Sequence, residues 1–337
     1  MTALPRDTTL YKITGTDTYR LSSVTLLGRW GGNRQNIEKS ARSRYVPDEG
    51  KSFCQVDQSG AEALIVAHCM PRSNKLRQLF DNKIKIHNYL GVVFTEQWRA
   101  EFPMVGEFAK IPIPELKSHP DWSRFVAAVA ASDDNPPATR YYYHYKQTGH
   151  SANYNIFAPA FVENILLKSG GKVRLTKQQG EAYLEGYHSL IPEIRGYYHR
   201  KVAETYERTG ILYNFQGFPL HITKKLFPHE YSKIYDKIPQ STVGCISNIA
   251  FTQMQNYILE NKLRGWDILQ NNHDSYLGQA PDGEIMDMAR MMKRFMEQEL
   301  TSPFGEVFNM RSEVQVGKNW SPFDPEYNPE GLKKVDL

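Results

Sequence analysis

The feature that most constrains this chain is an acidic residue at the end of a short apolar strand, with a helix opening directly behind it. Phe53 to Val56 suits a buried strand, Asp57 ends it, and Ala61 to Cys69 is an apolar run suited to a helix. A carboxylate so placed points into a cleft. A second acidic stretch, Asn271-Asn272-His273-Asp274-Ser275-Tyr276, lies far downstream. The flanking runs Trp266 to Asn271 and Ser275 to Gly278 read as the two arms of a hairpin. Two carboxylates from separate strands can hold a pair of divalent cations. Magnesium, a hard ion, favours such oxygen ligands and completes its shell with water and substrate phosphates. Two ions about 4 Å apart can activate an attacking oxygen and stabilise a leaving one.

The chain has 337 residues, enough to bury a sizeable core in one elaborate domain or two. No apolar run is long enough to cross a bilayer, and the first residues form no apolar signal region, so a cytoplasmic location with no membrane partner is the default. Cys54, Cys69 and Cys245 are widely spaced in apolar surroundings, which reads as reduced core thiols rather than a disulfide or zinc framework. The net charge of +4 says little. Its distribution says more: Arg20, Arg29, Arg34, Lys39, Arg42 and Arg44 crowd one early segment, as a solvated face does and as a phosphate-tracking surface does.

Thr14 to Ile37 is polar and reads as contact-making loops. Ser73 to Phe80 and Ile84 to Phe94 read as short helices, the second carrying His87. Phe102 to Pro137 is irregular and Pro-rich, with a helix over Trp122 to Ala131, and looks like an insertion. In the stretch from Arg140 to Phe161, Lys146, His150 and Tyr154 recur every four residues, so on a helix they share one face. A lysine for phosphate and an aromatic platform for a base would suit a nucleotide lying along it. Lys177 to Gly210 predicts two helices broken near Pro192, with Gly210 as the stop. Ile211 to Ile222 predicts a hairpin, and Gln240 opens a long helix to about Leu263. The methionines between Gly283 and Leu300 recur as core filler does. Glu313 to Trp320 predicts the last strand.

In this order the blocks resemble family A DNA polymerases, the class of bacterial DNA polymerase I and its phage relatives, over about Thr14 to Trp320. Asp57 with Ser59 and Glu62 resembles that family's motif A, Lys146 to Tyr154 its motif B, and His273-Asp274 its motif C. Arg20 to Ser23, Gln35 to Ile37, Ile86-His87 and Gly317 to Trp320 resemble blocks between them. The resemblance implies an α+β fold, an antiparallel-sheet palm with helical fingers, as in a right-hand polymerase lacking a recognisable thumb and exonuclease domain. Residues 1–80 and 244–337 would form the palm and 81–243 the fingers.

The implied activity is template-directed addition of deoxynucleotides to a primer 3'-hydroxyl. Asp57, Asp274 and Lys146 would be catalytic. Asp57, Asp274 and the carbonyl of Gln58 would hold two Mg2+ ions, with Mn2+ as a substitute. Glu62, His87, Arg140, Lys146, His150 and Tyr154 would contact the dNTP, Glu62 and Tyr154 excluding a ribose 2'-hydroxyl. Arg20, Gln35, Asn36, Gln240 and His273 would contact primer-template DNA, where minor-groove acceptors shared by all correct pairs report geometry. The implied setting is a phage or bacterial host cytoplasm, with a separate subunit supplying a thumb or exonuclease as a further partner.

Several positions depart from the family pattern. Gly60 replaces a usual Gln, Tyr142 stands where Arg is usual, and Asp236 stands near a usual Asn. Arg140 is the nearest arginine, about 120 degrees off the Lys146 face on an ideal helix. Two other readings stay open: a non-catalytic polymerase-like DNA-binding subunit, and a single-subunit RNA polymerase, against which Glu62 argues.

Overall fold

The computed structural model describes residues 11–12, 21–24, 30–32, 37 and 39–337. Arg20, Gln35 and Asn36, expected at the DNA, lie outside the described residues. The principal elements, in chain order, are β1 (Lys51–Gln58), α1 (Ala61–His68), α2 (Ile86–Leu90), α3 (Trp122–Ala131), α4 (Tyr141–Asn153), α5 (Ala158–Lys168), α6 (Lys177–Leu190), α7 (Arg200–Thr209), α8 (Lys237–Glu260), β2 (Asp267–Asn271), β3 (Ser275–Pro281), α9 (Ile285–Met296), β4 (Ser312–Gly317) and β5 (Lys333–Val335). They fall into two compact units. One joins the described part of Met1–Ala61 to Asn214–Leu220 and Pro239–Leu337; the other is Glu62–Tyr213 with His221–Ile238.

The first unit is built on a five-stranded sheet in the order β5-β4-β1-β3-β2, antiparallel at every pairing. Side chains alternate between faces along each strand, and here both faces of the centre are covered. On one side α9 lies across the sheet with Met288, Met292 and Met296 fully buried. Their spacing of four puts them on one helical face, and each stabilises by about 1.5–3 kcal/mol on burial. Gly278 makes that approach possible, since a Cβ there would collide with the Met288 side chain and sit 3.0 Å from the Asp267 carbonyl oxygen. The Tyr276 hydroxyl, also buried, donates to the Met292 carbonyl at 2.7 Å. On the other side Phe53, Leu269, Leu277, Trp320 and Leu332 form a cluster, fixed by the Trp320 Nε1 donating to Gln55 Oε1 at 2.7 Å. Contrary to the sequence expectation, β4 is not the last strand: Lys333–Val335 pairs onto its outer edge.

The second unit is helical. Phe102 to Pro137, expected to be irregular, is a packed subdomain: Phe102, Phe108, Trp122, Phe125 and Val129 are buried, with Phe108, Trp122 and Phe125 in mutual ring contact. Aromatic side chains thus supply a core where helix periodicity is too short to announce one. The neighbouring core is also aromatic but carries polar handles. Trp98 Nε1 donates to the Tyr145 hydroxyl at 2.9 Å, Tyr145 donates to Gln97 Oε1, and Gln97 donates to Tyr183 at 3.1 Å. The α6 helix opens with a Thr176/Gln179 capping box, and α7 stops where Gly210 turns left-handed at φ 67°. Among the described residues no helix is long and apolar enough to cross a membrane.

Candidate active site

The acidic end of the sheet is assembled by strand register. On β1, Asp57 lies opposite Ser275 of β3 and Glu313 of β4. The next amide, Gln58 N–H, donates to the Asp274 carbonyl at 2.8 Å. Asp57 and Asp274, far apart in sequence, therefore sit at neighbouring positions of one sheet end, Asp57 half-buried and Asp274 exposed. By the alternation along β1, Asp57 shares the face of Phe53 and Gln55, away from α9. The Gln58 side chain is buried and donates to the Val243 carbonyl at 3.1 Å and to Ser247 Oγ at 2.7 Å, locking this strand end under α8.

The loop carrying Asp274 is strained. His273 has φ 72°, a region that disfavours a side chain by about 1–2 kcal/mol. The loop holds because its polar groups close on one another. Asn272 N–H donates to the Ser275 carbonyl at 2.7 Å and Asp274 N–H to the Asn272 carbonyl at 3.0 Å. His273 N–H donates to Asn271 Oδ1 at 3.0 Å, and Asn271 Nδ2 donates to Asn248 Oδ1 at 3.2 Å. Non-glycine residues held in such conformations cluster at functional sites. Gln240 lies half-buried within the first turn of α8, which Lys237 rather than Gln240 opens. In the early basic run, Arg42 serves the fold, stacking over Trp320 at 4.5 Å and donating to the Ile37 carbonyl at 3.1 Å.

In the second unit, Lys146 and His150 are exposed on α4, and Lys146 forms no ion pair among the described residues. Tyr154 does not continue their helical face. The helix ends in a Schellman motif, with Asn155 at φ 53°, its N–H on the Ala152 carbonyl at 3.1 Å and the Ile156 N–H on the Ser151 carbonyl at 3.0 Å. Tyr154 is the capping residue and is buried, 3% exposed. Its hydroxyl donates to Glu62 Oε2, and His150 Nδ1 lies 3.6 Å from the same oxygen. Burial first, and the Glu62 charge second, push the Tyr154 hydroxyl well above the usual phenol range. It therefore stays a donor.

His87 on α2 meets Tyr142 edge to face at 4.9 Å. Burial, helped by the cations of Lys85 and Lys146, lowers it to about 4. It is therefore uncharged near neutral pH. Arg140 is turned away, paired to Asp133 at 3.0 Å and stacked over Tyr143 at 4.9 Å. The residue that replaces the usual arginine thus packs on His87, and the nearby arginine is engaged elsewhere.

One member of the acidic end was invisible in the sequence. Glu313, which reads only as an alternating strand position, stands across from Asp57 and pairs with Lys334 at 3.0 Å. Only the register discloses it. Among the described residues no group of three or more His, Cys, Asp or Glu side chains is arranged to hold a metal by itself. That leaves Asp57, Asp274 and the Gln58 carbonyl as a sparse, oxygen-only donor set. Such a set fits magnesium, which keeps several waters and takes one or two carboxylates plus substrate phosphates.

No model of a known protein family matches the sequence. No curated protein matches it either. Among solved structures, the chain is similar to the POL domain of Pol1 from M. smegmatis, solved in complex with a DNA primer-template and dNTP. The TM-score is 0.58 at 17% identity, and the match covers 88% of this chain and 46% of that one. The chain thus spans about half the length of that structure's chain, and at this identity the likeness is one of fold. The fold of this protein is mixed helix and antiparallel sheet, and a DNA polymerase domain is similar to it.

Proposed function

We propose that the chain is a template-directed DNA polymerase that adds deoxynucleotides to a primer 3'-hydroxyl, with the antiparallel unit as palm and the helical unit as fingers. The observation that carries this reading is the pairing of β1 with β3, which sets Asp57 beside the strained Asp274 loop in a polymerase-type fold. Asp57, Asp274 and the Gln58 carbonyl would hold two magnesium ions, which when bound would stabilise negative charge on the attacking and leaving oxygens. Lys146, exposed on α4, would bind the triphosphate and offset its growing negative charge. His87 would add an uncharged hydrogen bond to the same group. Glu62, held by Tyr154, would occupy the volume a ribose 2'-hydroxyl needs, so that dNTPs are accepted and NTPs rejected. His273 and Gln240 would follow the minor groove of the primer-template, where shared acceptors reward correct geometry.

The test is extension of a labelled primer on a DNA template with Mg2+ and each of dATP and ATP. The expected result is template-matched extension with dATP and little with ATP. Preference for ATP would favour the RNA polymerase reading. DNA binding with no extension in Mg2+ or Mn2+ would favour a non-catalytic DNA-binding role.

A further inference from the structure

We infer that His150 is a positioning residue for sugar selection: protonated, it clamps the Glu62 oxygen that Tyr154 also holds, so the preference for dNTPs over NTPs strengthens as pH falls. The inference rests on the polymerase reading above and goes beyond it by naming a third member of the sugar-excluding group. The Glu62 side chain is 21% exposed and that of His150 44%. The His150 and Tyr154 rings meet edge to face, with centroids 5.2 Å apart. Both side chains therefore converge on Glu62 Oε2, one from the end of α4 and one from a turn earlier.

A carboxylate oxygen can accept two donors at once. The Tyr154 hydroxyl donates at any pH the protein meets. The imidazole differs: at 3.6 Å its contact is too long for an ordinary hydrogen bond, and protonation turns it into a charge-assisted one. Other charged groups set the background. Lys146 lies one turn back on α4. The charge of Asp236 acts on both Glu62 and Tyr154, and Lys237 pairs with Asp236 at 3.0 Å. Histidine is the group among these that ordinarily changes charge between about pH 5 and 8. A partly exposed ion pair of this kind is worth about a two- to five-fold change in selectivity.

The experiment measures kcat/KM for dATP and for ATP on one primer-template from about pH 5.5 to about pH 8.5, in the unaltered chain and in His150→Phe and His150→Gln. Taking the ratio cancels pH effects common to both nucleotides. The dATP/ATP ratio is expected to fall about two- to five-fold as pH rises in the unaltered chain and to stay flat in both variants. A flat ratio in the unaltered chain overturns the role of His150 while leaving the polymerase reading intact. A slope that survives in both variants does the same. Absence of extension with either nucleotide overturns both.

Discussion

The aspartate-bearing sheet end and the lysine-bearing helix are constructed by opposite means. The sheet end depends on partners remote in the chain: Asp57 gains its neighbours from the register of β1 against β3 and β4, and Asp274 from a loop that holds His273 at φ 72°. The helix is local. Lys146 and His150 share one exposed face because they lie one turn apart, and the element stops where Asn155 accepts a left-handed conformation. In the proposed polymerase, the groups that would fix charge sit on strands braced from both faces, and those that would meet a nucleotide sit on an exposed helical stripe. Substitutions should therefore act as all-or-none at the sheet end and in graded fashion on the helix.

The largest effect is expected at the strands. Asp57→Asn or Asp274→Asn should slow primer extension by about a thousandfold, as loss of a group that stabilises developing charge does. DNA affinity should change little, as a gel-shift titration would report. Comparable rates in either variant would erase the distinction between the two regions. On the helix, Lys146→Ala should reduce kcat/KM for dNTP by about ten- to a hundredfold, the worth of one charge-assisted phosphate contact. A loss as complete as that at Asp57 would contradict the graded behaviour expected of the helix.

Stability probes sharpen the contrast. Gly278→Ala should destabilise the sheet unit by about 1–3 kcal/mol through overpacking against Met288, read as a lower urea midpoint. An unchanged midpoint would mean that α9 can shift. The helical unit should instead be acid-sensitive. His87 and His199 are lowered to about 4 and His188 to about 3, chiefly by burial. Their unfolded forms take up protons first, so stability is complete above about pH 6.5 and declines as pH falls toward 4, by at most about 1.4 kcal/mol per pH unit for each histidine. Replacing His188 and His199 with Gln should flatten that decline in urea titrations at several pH values. An unaltered decline would locate the proton uptake elsewhere.

The same contrast explains what could be read from the sequence. Local elements were legible. The strand ending at Asp57, the α3 helix, the Gly210 stop and the hairpin around His273-Asp274 follow from periodicity and turn chemistry, and the structure has them. Tyr154 misled because a four-residue spacing says nothing about where a helix stops, and Asn is a weaker stop signal than Gly. The packed segment from Phe102 to Pro137 was obscured because its core comes from single aromatics in short turns. Glu313 and the edge strand Lys333–Val335 depend on pairing across the sheet, which no local pattern encodes. The engagement of Arg140 by Asp133 and Tyr143 was likewise a matter of contacts, not of helical angle.

The most direct test of the proposed shared aspartate site is a double-mutant cycle. Single-turnover extension would be measured for Asp57→Asn, Asp274→Asn and the two together, in saturating Mg2+ and dNTP. If both carboxylates serve one centre, the double variant should be no slower than the slower single variant. Rate losses that multiply, or either single variant working at the unaltered rate, would contradict it.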